Sequence, residues 1–157
     1  MKPVTIGIVA GAAALLVLGY KAAMKAANDF TFEVIGYGKP TLQSTELSVP
    51  LKVLANNPTS LPINIDQLDG DVYLNKAGTW VLAAQVNQPV SLQPGKQEVW
   101  VYPRLNLQNV FGGDIIQTLQ AIAQIQSTKK IDIRADIGGQ YGVITIPKQS
   151  FTETLDL

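Results

Sequence analysis

Two kinds of hydrophobic pattern divide this chain. From Val4 to Tyr20 the residues run VTIGIVAGAAALLVLGY without a charge, bounded by Lys2 before and Lys21 and Lys25 after. A helix of that length is about 25 Å long, at the short limit for the hydrocarbon core of a bilayer. From Phe30 onward the pattern changes to period two, the spacing of half-buried strands. Phe30, Phe32 and Val34 alternate with Thr31 and Glu33. Leu47, Val49, Leu51, Val53 and Ala55 form one face, and Leu61, Ile63 and Ile65 another. Val72 and Leu74 flank Tyr73, and Trp80, Leu82, Ala84 and Val86 share a face. Val99, Val101, Leu105 and Leu107 follow, then Ile131, Ile133, Ala135 and Ile137. Ile144 and Ile146 belong to a last strand from Tyr141 to about Lys148.

Strands with one apolar and one polar face belong to antiparallel sheets. Asn57-Pro58-Thr59-Ser60, Asp69-Gly70, Lys76-Ala77-Gly78, Gln93-Pro94-Gly95 and Gly138-Gly139 supply turn signals between them. Pro50, Pro62 and Pro103 interrupt hydrogen-bond ladders and mark edges or bulges. One segment reads as a helix, because Phe111, Ile115, Leu119 and Ile122 recur at helical spacing. Asp114 is its expected N-cap, with Gln117 three residues on, and Gly112-Gly113 breaks the chain before it. Lys129 and Lys130 fall near its C-terminus, where the helix dipole favours cations. The stripe is expected to cover one open end or edge of the sandwich. The expected architecture is mostly β: an antiparallel β-sandwich of seven or eight strands with one helix, preceded by an N-terminal transmembrane helix. Residues 1–28 form the anchor and stalk, and residues 29–157 the sandwich domain.

The first segment admits three readings. A cleaved signal peptide needs small residues in an Ala-x-Ala arrangement after the apolar run, and KAAMKAAND does not provide it. A helix buried in a soluble protein is the second. The preferred reading is an uncleaved membrane helix, with Tyr20 at the interface and Lys21 snorkelling toward water. Gly7 and Gly11, like Ala10 and Ala14, are four apart, a spacing that lets membrane helices approach closely. The lysines leave orientation open: Lys21 and Lys25 favour a cytoplasmic C-terminal side, whereas Lys2 and the amino terminus oppose it.

Charge sharpens this division. The formal net charge of the 157 residues is zero, from twelve basic and twelve acidic side chains. Three of the basic residues lie in residues 1–28, which hold no acid, so the anchor region is positive and the domain negative by three. That balance gives no concentrated basic face for nucleic acid. The chain has no His and no Cys. Disulfides, thiolate zinc sites, thiol nucleophiles, imidazole bases and two-His metal motifs are all excluded.

What chemistry remains is thin. Asp66, Asp69 and Asp71 could gather around Ca²⁺, but they lack the spacing of an EF-hand loop, and a solvated acidic turn is preferred. Gly36-Tyr37-Gly38 lacks the third glycine and following helix of a nucleotide loop and reads as a turn. No pair of carboxylates is marked for glycoside hydrolysis. Trp80, Trp100, Tyr73, Tyr102 and Tyr141 could form a binding surface. The preferred alternative packs Trp80 inside and leaves the others on the sheet. No catalytic residue, cofactor, metal ligand or small-molecule substrate is assigned.

The ordered segments resemble a known family. Leu51 to Ile63 (LKVLANNPTSLPI) is similar to its central signature, a strand ending in Asn-Pro, here Asn57-Pro58, followed by alternating apolar residues. Leu68 to Asn75, with Tyr73, resembles its next strand, leading to a turn with Gly78. Gln93-Pro94-Gly95, the helix near 114–126 and Ile146-Pro147 follow in the family's order. The family is the late-embryogenesis-abundant type 2 proteins, or WHy (water stress and hypersensitive response) domain, and the resemblance covers about residues 30 to 155. It implies a sandwich similar to fibronectin type III with one helix, no enzymatic activity, a link to desiccation and stress protection, and frequent tethering by an N-terminal helix. Asn57, Pro58, Tyr73 and Gly78 would then be structural. The expected partners are a lipid bilayer and other proteins or further copies of the chain. The expected function is a non-catalytic membrane-anchored module with a binding, structural or stress-protective role. The alternative is a minor structural protein of a membrane-containing virion or envelope assembly.

Overall fold

The computed structural model describes residues 29–142 and 144–157. The expected anchor residues Gly7, Ala10, Gly11, Ala14, Tyr20 and Lys21 lie outside the described residues. Among the described residues, no helix is long and apolar enough to cross a membrane.

Among the described residues, ten strands form three antiparallel sheets. Strands β1 (Thr31–Tyr37), β4 (Leu51–Asn57) and β7 (Gly95–Val101) make one, in the order β1-β4-β7. Strands β5 (Ile63–Lys76), β6 (Thr79–Leu92), β9 (Lys130–Tyr141) and β10 (Ile144–Asp156) make the second, in the order β10-β9-β5-β6. Short strands β2 (Thr41–Gln43), β3 (Glu46–Ser48) and β8 (Arg104–Asn106) make the third. Two helices follow β8: α1 (Leu107–Val110) and α2 (Ile115–Thr128). The mostly-β antiparallel expectation holds, but among the described residues the strand count of the domain rises to ten and its helices to two. The extra strands are three-residue pieces, β2 and β3 before Pro50 and β8 after Pro103, too short to show a period of their own.

The core lies between the three-stranded sheet β1-β4-β7 and the four-stranded sheet. Phe32, Leu51, Val53 and Ala55 meet Leu68, Val72, Ile133 and Ile137, all at or near zero exposure. The facing sheets differ in length. Strand β4 has 7 residues and β5 has 14. The far half of the long sheet therefore needs another cover. Leu105, Leu107 and Val110, all buried, and the partly buried Phe111, Ile122 and Ile125 supply it from β8, α1 and α2.

Several local readings change. Asp69-Gly70 is no turn: it lies inside β5, with Gly70 opposite Ile137 on β9 and Val86 on β6. A Cβ on Gly70 would collide with the Ile137 side chain. Gly138-Gly139 likewise lies inside β9. A Cβ on Gly139 would stand 2.8 Å from the Gln67 carbonyl oxygen and 3.1 Å from the Phe32 ring. These glycines permit close approach between packed elements rather than chain reversal. Asp66, Asp69 and Asp71 are consequently strand residues, not an acidic turn.

The shared face of Trp80, Leu82, Ala84 and Val86 is also broken. Val72 pairs with Ala84 but Tyr73 pairs with Leu82, so β6 carries one extra residue, Ala83. A bulge of one residue moves everything beyond it to the opposite face. Val81, Ala84 and Val86 pack inward, whereas Leu82 is exposed and Trp80 only half-buried. Trp80 thus does not pack inside the sandwich. Leu61 does not continue the β5 face either: it precedes the strand and is exposed. The last strand begins at Ile144 and runs to Asp156, past the expected end near Lys148.

The Lys76-Ala77-Gly78 signal does mark a hairpin. Ala77 and Gly78 both have positive φ, 50° and 88°, as a two-residue reversal between Lys76 and Thr79 requires. The Asn75 carboxamide oxygen accepts the Gly78 N–H at 2.8 Å.

Replacing Gly139 with Ala is expected to destabilise the domain by about 1–3 kcal/mol through overpacking. Gly36, where a Cβ meets nothing within 4 Å, is the control, and its Ala variant should stay within about 0.5 kcal/mol of the parent. Urea unfolding of the two variants checks this.

Candidate functional site

Three surfaces gather the side chains that could act. The first is the turn after β4. Asn57, buried at the end of that strand, spends its whole carboxamide on backbone and one neighbour. Its Nδ2 donates to the carbonyl oxygens of Leu61 at 2.9 Å and Leu92 at 3.4 Å. Its Oδ1 accepts from the Thr59 N–H at 3.0 Å and the Thr59 hydroxyl at 2.7 Å. The Thr59 hydroxyl has one proton, and the shorter contact to Asn57 claims it over the 3.0 Å approach to the Leu61 carbonyl. Pro58 fixes the backbone between them and holds Asn57 extended. The turn's exposed residues are Pro58, Ser60, Leu61 and Pro62.

The second surface is the outer face of the four-stranded sheet. Register aligns Gln85, Asp71, Asp136 and Ser150 in one row across β6, β5, β9 and β10. Leu82, Tyr73, Arg134 and Thr152 form the next. Asp71 accepts from Lys148 Nζ at 2.6 Å and Gln85 Nε2 at 3.0 Å. Lys148 also reaches Asp69 at 3.5 Å. Arg134 forks onto Asp136 through Nε at 3.0 Å and Nη2 at 2.8 Å, while Ser150 donates to the same carboxylate at 2.6 Å. The Arg134 guanidinium stands 5.4 Å from the centre of the Tyr73 ring. Asp66 accepts the Gly142 N–H at 2.7 Å, tying the β9–β10 turn to β5.

These contacts set the ionisation of the face. The hydrogen bond from Lys148, then that from Gln85, holds Asp71 below the usual carboxylate range. Burial works to raise Asp136, but the hydrogen bonds from Arg134 and Ser150 outweigh it and the net shift is downward. Lys148 is raised by its bond to Asp71, and Arg134 by its bond to Asp136. All four shifts carry the groups away from neutral pH, the reverse of what a general acid or base needs. Among the described residues, no group of three or more acidic side chains is placed to hold a metal ion.

The third surface is α2. Asp114 caps it by accepting the Gln117 N–H at 3.0 Å. The helix ends at Lys129, whose φ is 57°. Its expected core stripe is corrected. Ile115 and Leu119 are 63% and 58% exposed, and Ile116 is 69% exposed. Thr118 is buried instead, and Ile122 and Ile125 touch the core. The helix meets the sheet through its second half, so the first-half apolar residues point outward. Below it runs a groove of about 800 Å³, bordered by Lys76, Phe111, Gln117, Gln124 and Asp132. Lys76 lies 5.1 Å from the Phe111 ring centre.

The family-signature residues sit apart. Asn57 and Pro58 are at one end of the sandwich, Gly78 is at the other beside α2, and Tyr73 is on the outer sheet face. The aromatic residues do not converge either. Trp100 lies on β7 under Lys52, 5.2 Å from its ring centre, on the opposite sheet from Tyr73. The Arg134–Asp136–Ser150 and Lys148–Asp71 network was not anticipated. Its signal was the i, i+2 spacing of Arg134 and Asp136, which puts both on one strand face.

The domain is an antiparallel sandwich of three strands on four, with a charge-paired outer face and a helix across one end. No protein-family model matches the sequence, and no curated protein does. Among solved structures, it is similar to an Arabidopsis thaliana protein at 18% identity, over 80% of each chain, with a TM-score of 0.50. It is also similar to a protein from Archaeoglobus fulgidus at 16% identity, over 81% of this chain and 95% of that one, with a TM-score of 0.49. A protein described as late embryogenesis abundant (LEA) matches at 20% identity, over 98% of this chain and 87% of that one, with a TM-score of 0.49. At such identity, the likeness to the Arabidopsis protein shows a shared fold.

Two outcomes follow from this geometry. Asn57→Ala leaves the Leu92 carbonyl and the Thr59 N–H without this partner, while the freed Thr59 hydroxyl, 3.0 Å from the Leu61 carbonyl, can donate there; the change is expected to cost about 1–3 kcal/mol in chemical unfolding. The depressed Asp71 and Asp136 values stabilise the fold above the unfolded carboxylate pKa. That stability is lost as pH falls through the lower folded values. Unfolding free energy should therefore fall below about pH 4. The double variant Asp71→Asn, Asp136→Asn should be less stable at neutral pH and show a flatter acid limb.

Proposed function

We propose that this chain is a non-catalytic β-sandwich module of the late-embryogenesis-abundant type 2, or WHy, kind. Residues 1–28 hold it at a bilayer, and it binds or protects surfaces there. The observation that carries the non-catalytic reading is the outer sheet face. Its strongest polar groups, Asp71, Asp136, Arg134 and Lys148, are committed to one another and biased toward permanent charge. Such a ladder stiffens a surface and keeps it hydrated, and holds these four groups away from neutrality. The uncharged run from Val4 to Tyr20 supports the anchor. The segment order from Asn57-Pro58 through Tyr73 and Gly78 supports the family.

A second reading, a structural subunit of a membrane-containing virion or envelope assembly, draws on α2. Three large apolar side chains exposed on one half of a helix suit a fixed protein neighbour.

Flotation with phosphatidylcholine vesicles, followed by an alkaline wash, tests the anchor. The full chain is expected to stay with the vesicles, and a chain lacking residues 1–28 to be released. Drying a labile enzyme with and without the protein tests protection. Retained activity supports the stress-protective role. No protection, together with a single fixed cross-linked neighbour in native membranes, favours the assembly role.

A further inference from the structure

Each end of the sandwich exposes apolar side chains, Leu61 at one and Ile115, Ile116 and Leu119 at the other, and the tether decides which end meets a bilayer. The described chain begins at Asp29, and Thr31 pairs with Asn56, so the chain enters beside the Asn57–Leu61 turn. The α2 helix is at the other end, beside the Ala77-Gly78 reversal that closes β5. Strand β5 separates the two ends by about 45 Å at 3.3 Å per residue. Residues 21–28, between the apolar run and the domain, span at most about 28 Å even fully extended. A linker of that reach holds the Asn57 end, not the α2 end, near the anchor.

The Asn57 end is also built for such contact. The turns at 57–63 and 92–95 hold no charge; Asp66 and Lys96 stand beside them, and the β9–β10 turn, tied to Asp66, closes the same end. Asn57 bonds the Leu61 carbonyl at 2.9 Å, which fixes the turn while Leu61 stands 68% exposed between Ser60 and Pro62. An exposed leucine alone is unremarkable. Here it stands on an uncharged turn held by a buried side chain, at the end of the molecule where the anchor segment joins. An uncharged turn can enter the headgroup boundary without stripping water from an ion, and a leucine gains from the apolar depth beyond.

We propose that the Leu61 turn, with the neighbouring Pro94 turn, is a membrane-contact surface that sets the domain upright on its bilayer, with α2 directed away. This rests on the anchoring reading above.

The lack of native cysteine makes the test clean. Leu61→Cys and Leu119→Cys in the full chain are each labelled with an environment-sensitive fluorophore; both sites are exposed, so neither change empties the core. The proteins are bound to phosphatidylcholine vesicles whose acyl chains carry a shallow spin-label quencher. The label at position 61 is expected to shift to the blue and be quenched several-fold, with the label at position 119 unchanged from solution. Quenching at 119 without quenching at 61 overturns the proposal and places the helix on the membrane. Quenching at neither site, with the protein still bound to vesicles, overturns it too and leaves the anchor standing. Failure of the full chain to bind vesicles overturns the anchoring reading and this orientation together.

Discussion

The inner face of the four-stranded sheet is about twice as long as the three-stranded sheet packed against it, and apolar surface left in water is costly. Near the Asn57 end, β1, β4 and β7 cover it. Beyond Leu51 and Val101 that cover ends, while Leu74, Ile131 and Ile133 continue the apolar row. The chain meets this with small pieces: a three-stranded sheet, one turn of helix, then α2. The helix therefore acts as a lid on an overhang rather than as a layer of the sandwich. A lid needs only one contact stripe, and α2 supplies it with Thr118, Ile122 and Ile125. The freedom of its other face follows from that geometry.

The two sheet faces carry different tasks. Inside, close approach is allowed by glycines at Gly70 and Gly139, where a side chain would collide with Ile137 or with the Gln67 carbonyl and Phe32. Outside, opposite charges alternate in adjacent rows, so the surface is ionic without a large field of one sign. Exposed ion pairs of this kind contribute little stability each. Their shared partners, with Ser150 and Gln85 completing the carboxylate bonds, give the face a fixed hydrogen-bond pattern. Exposed apolar side chains also stand at the two ends, Leu61 at one and Ile115, Ile116 and Leu119 at the other, where the protein can meet something apolar.

Much of this was legible in the sequence, in physical terms. The faces Leu47–Ala55 and Ile131–Ile137 were readable because one side is wholly buried and strict alternation results. The Asp114 cap was readable because it acts within four residues. The misread features depend on distant partners. A glycine has the same sequence appearance in a turn, as at Gly78, and under a packed ring, as at Gly139. The bulge at Ala83 is invisible in a run of small and apolar residues, yet it turns Trp80 and Leu82 outward. The α2 stripe shows in the sequence only as a period, and period cannot say which of two apolar faces meets the sheet. Asn57 was legible as a turn-former, but its bond to the Leu92 carbonyl, 35 residues on, was not.

The central claim is that the polar outer face is a fixed, paired surface rather than a reactive one. Carbon-13 NMR titration of the Asp71 and Asp136 carboxyl groups tests it most directly. The account predicts that both titrate below the usual carboxylate range. A carboxylate on this face still gaining or losing its proton near neutral pH would contradict it and put a working acid or base where a structural ladder is drawn.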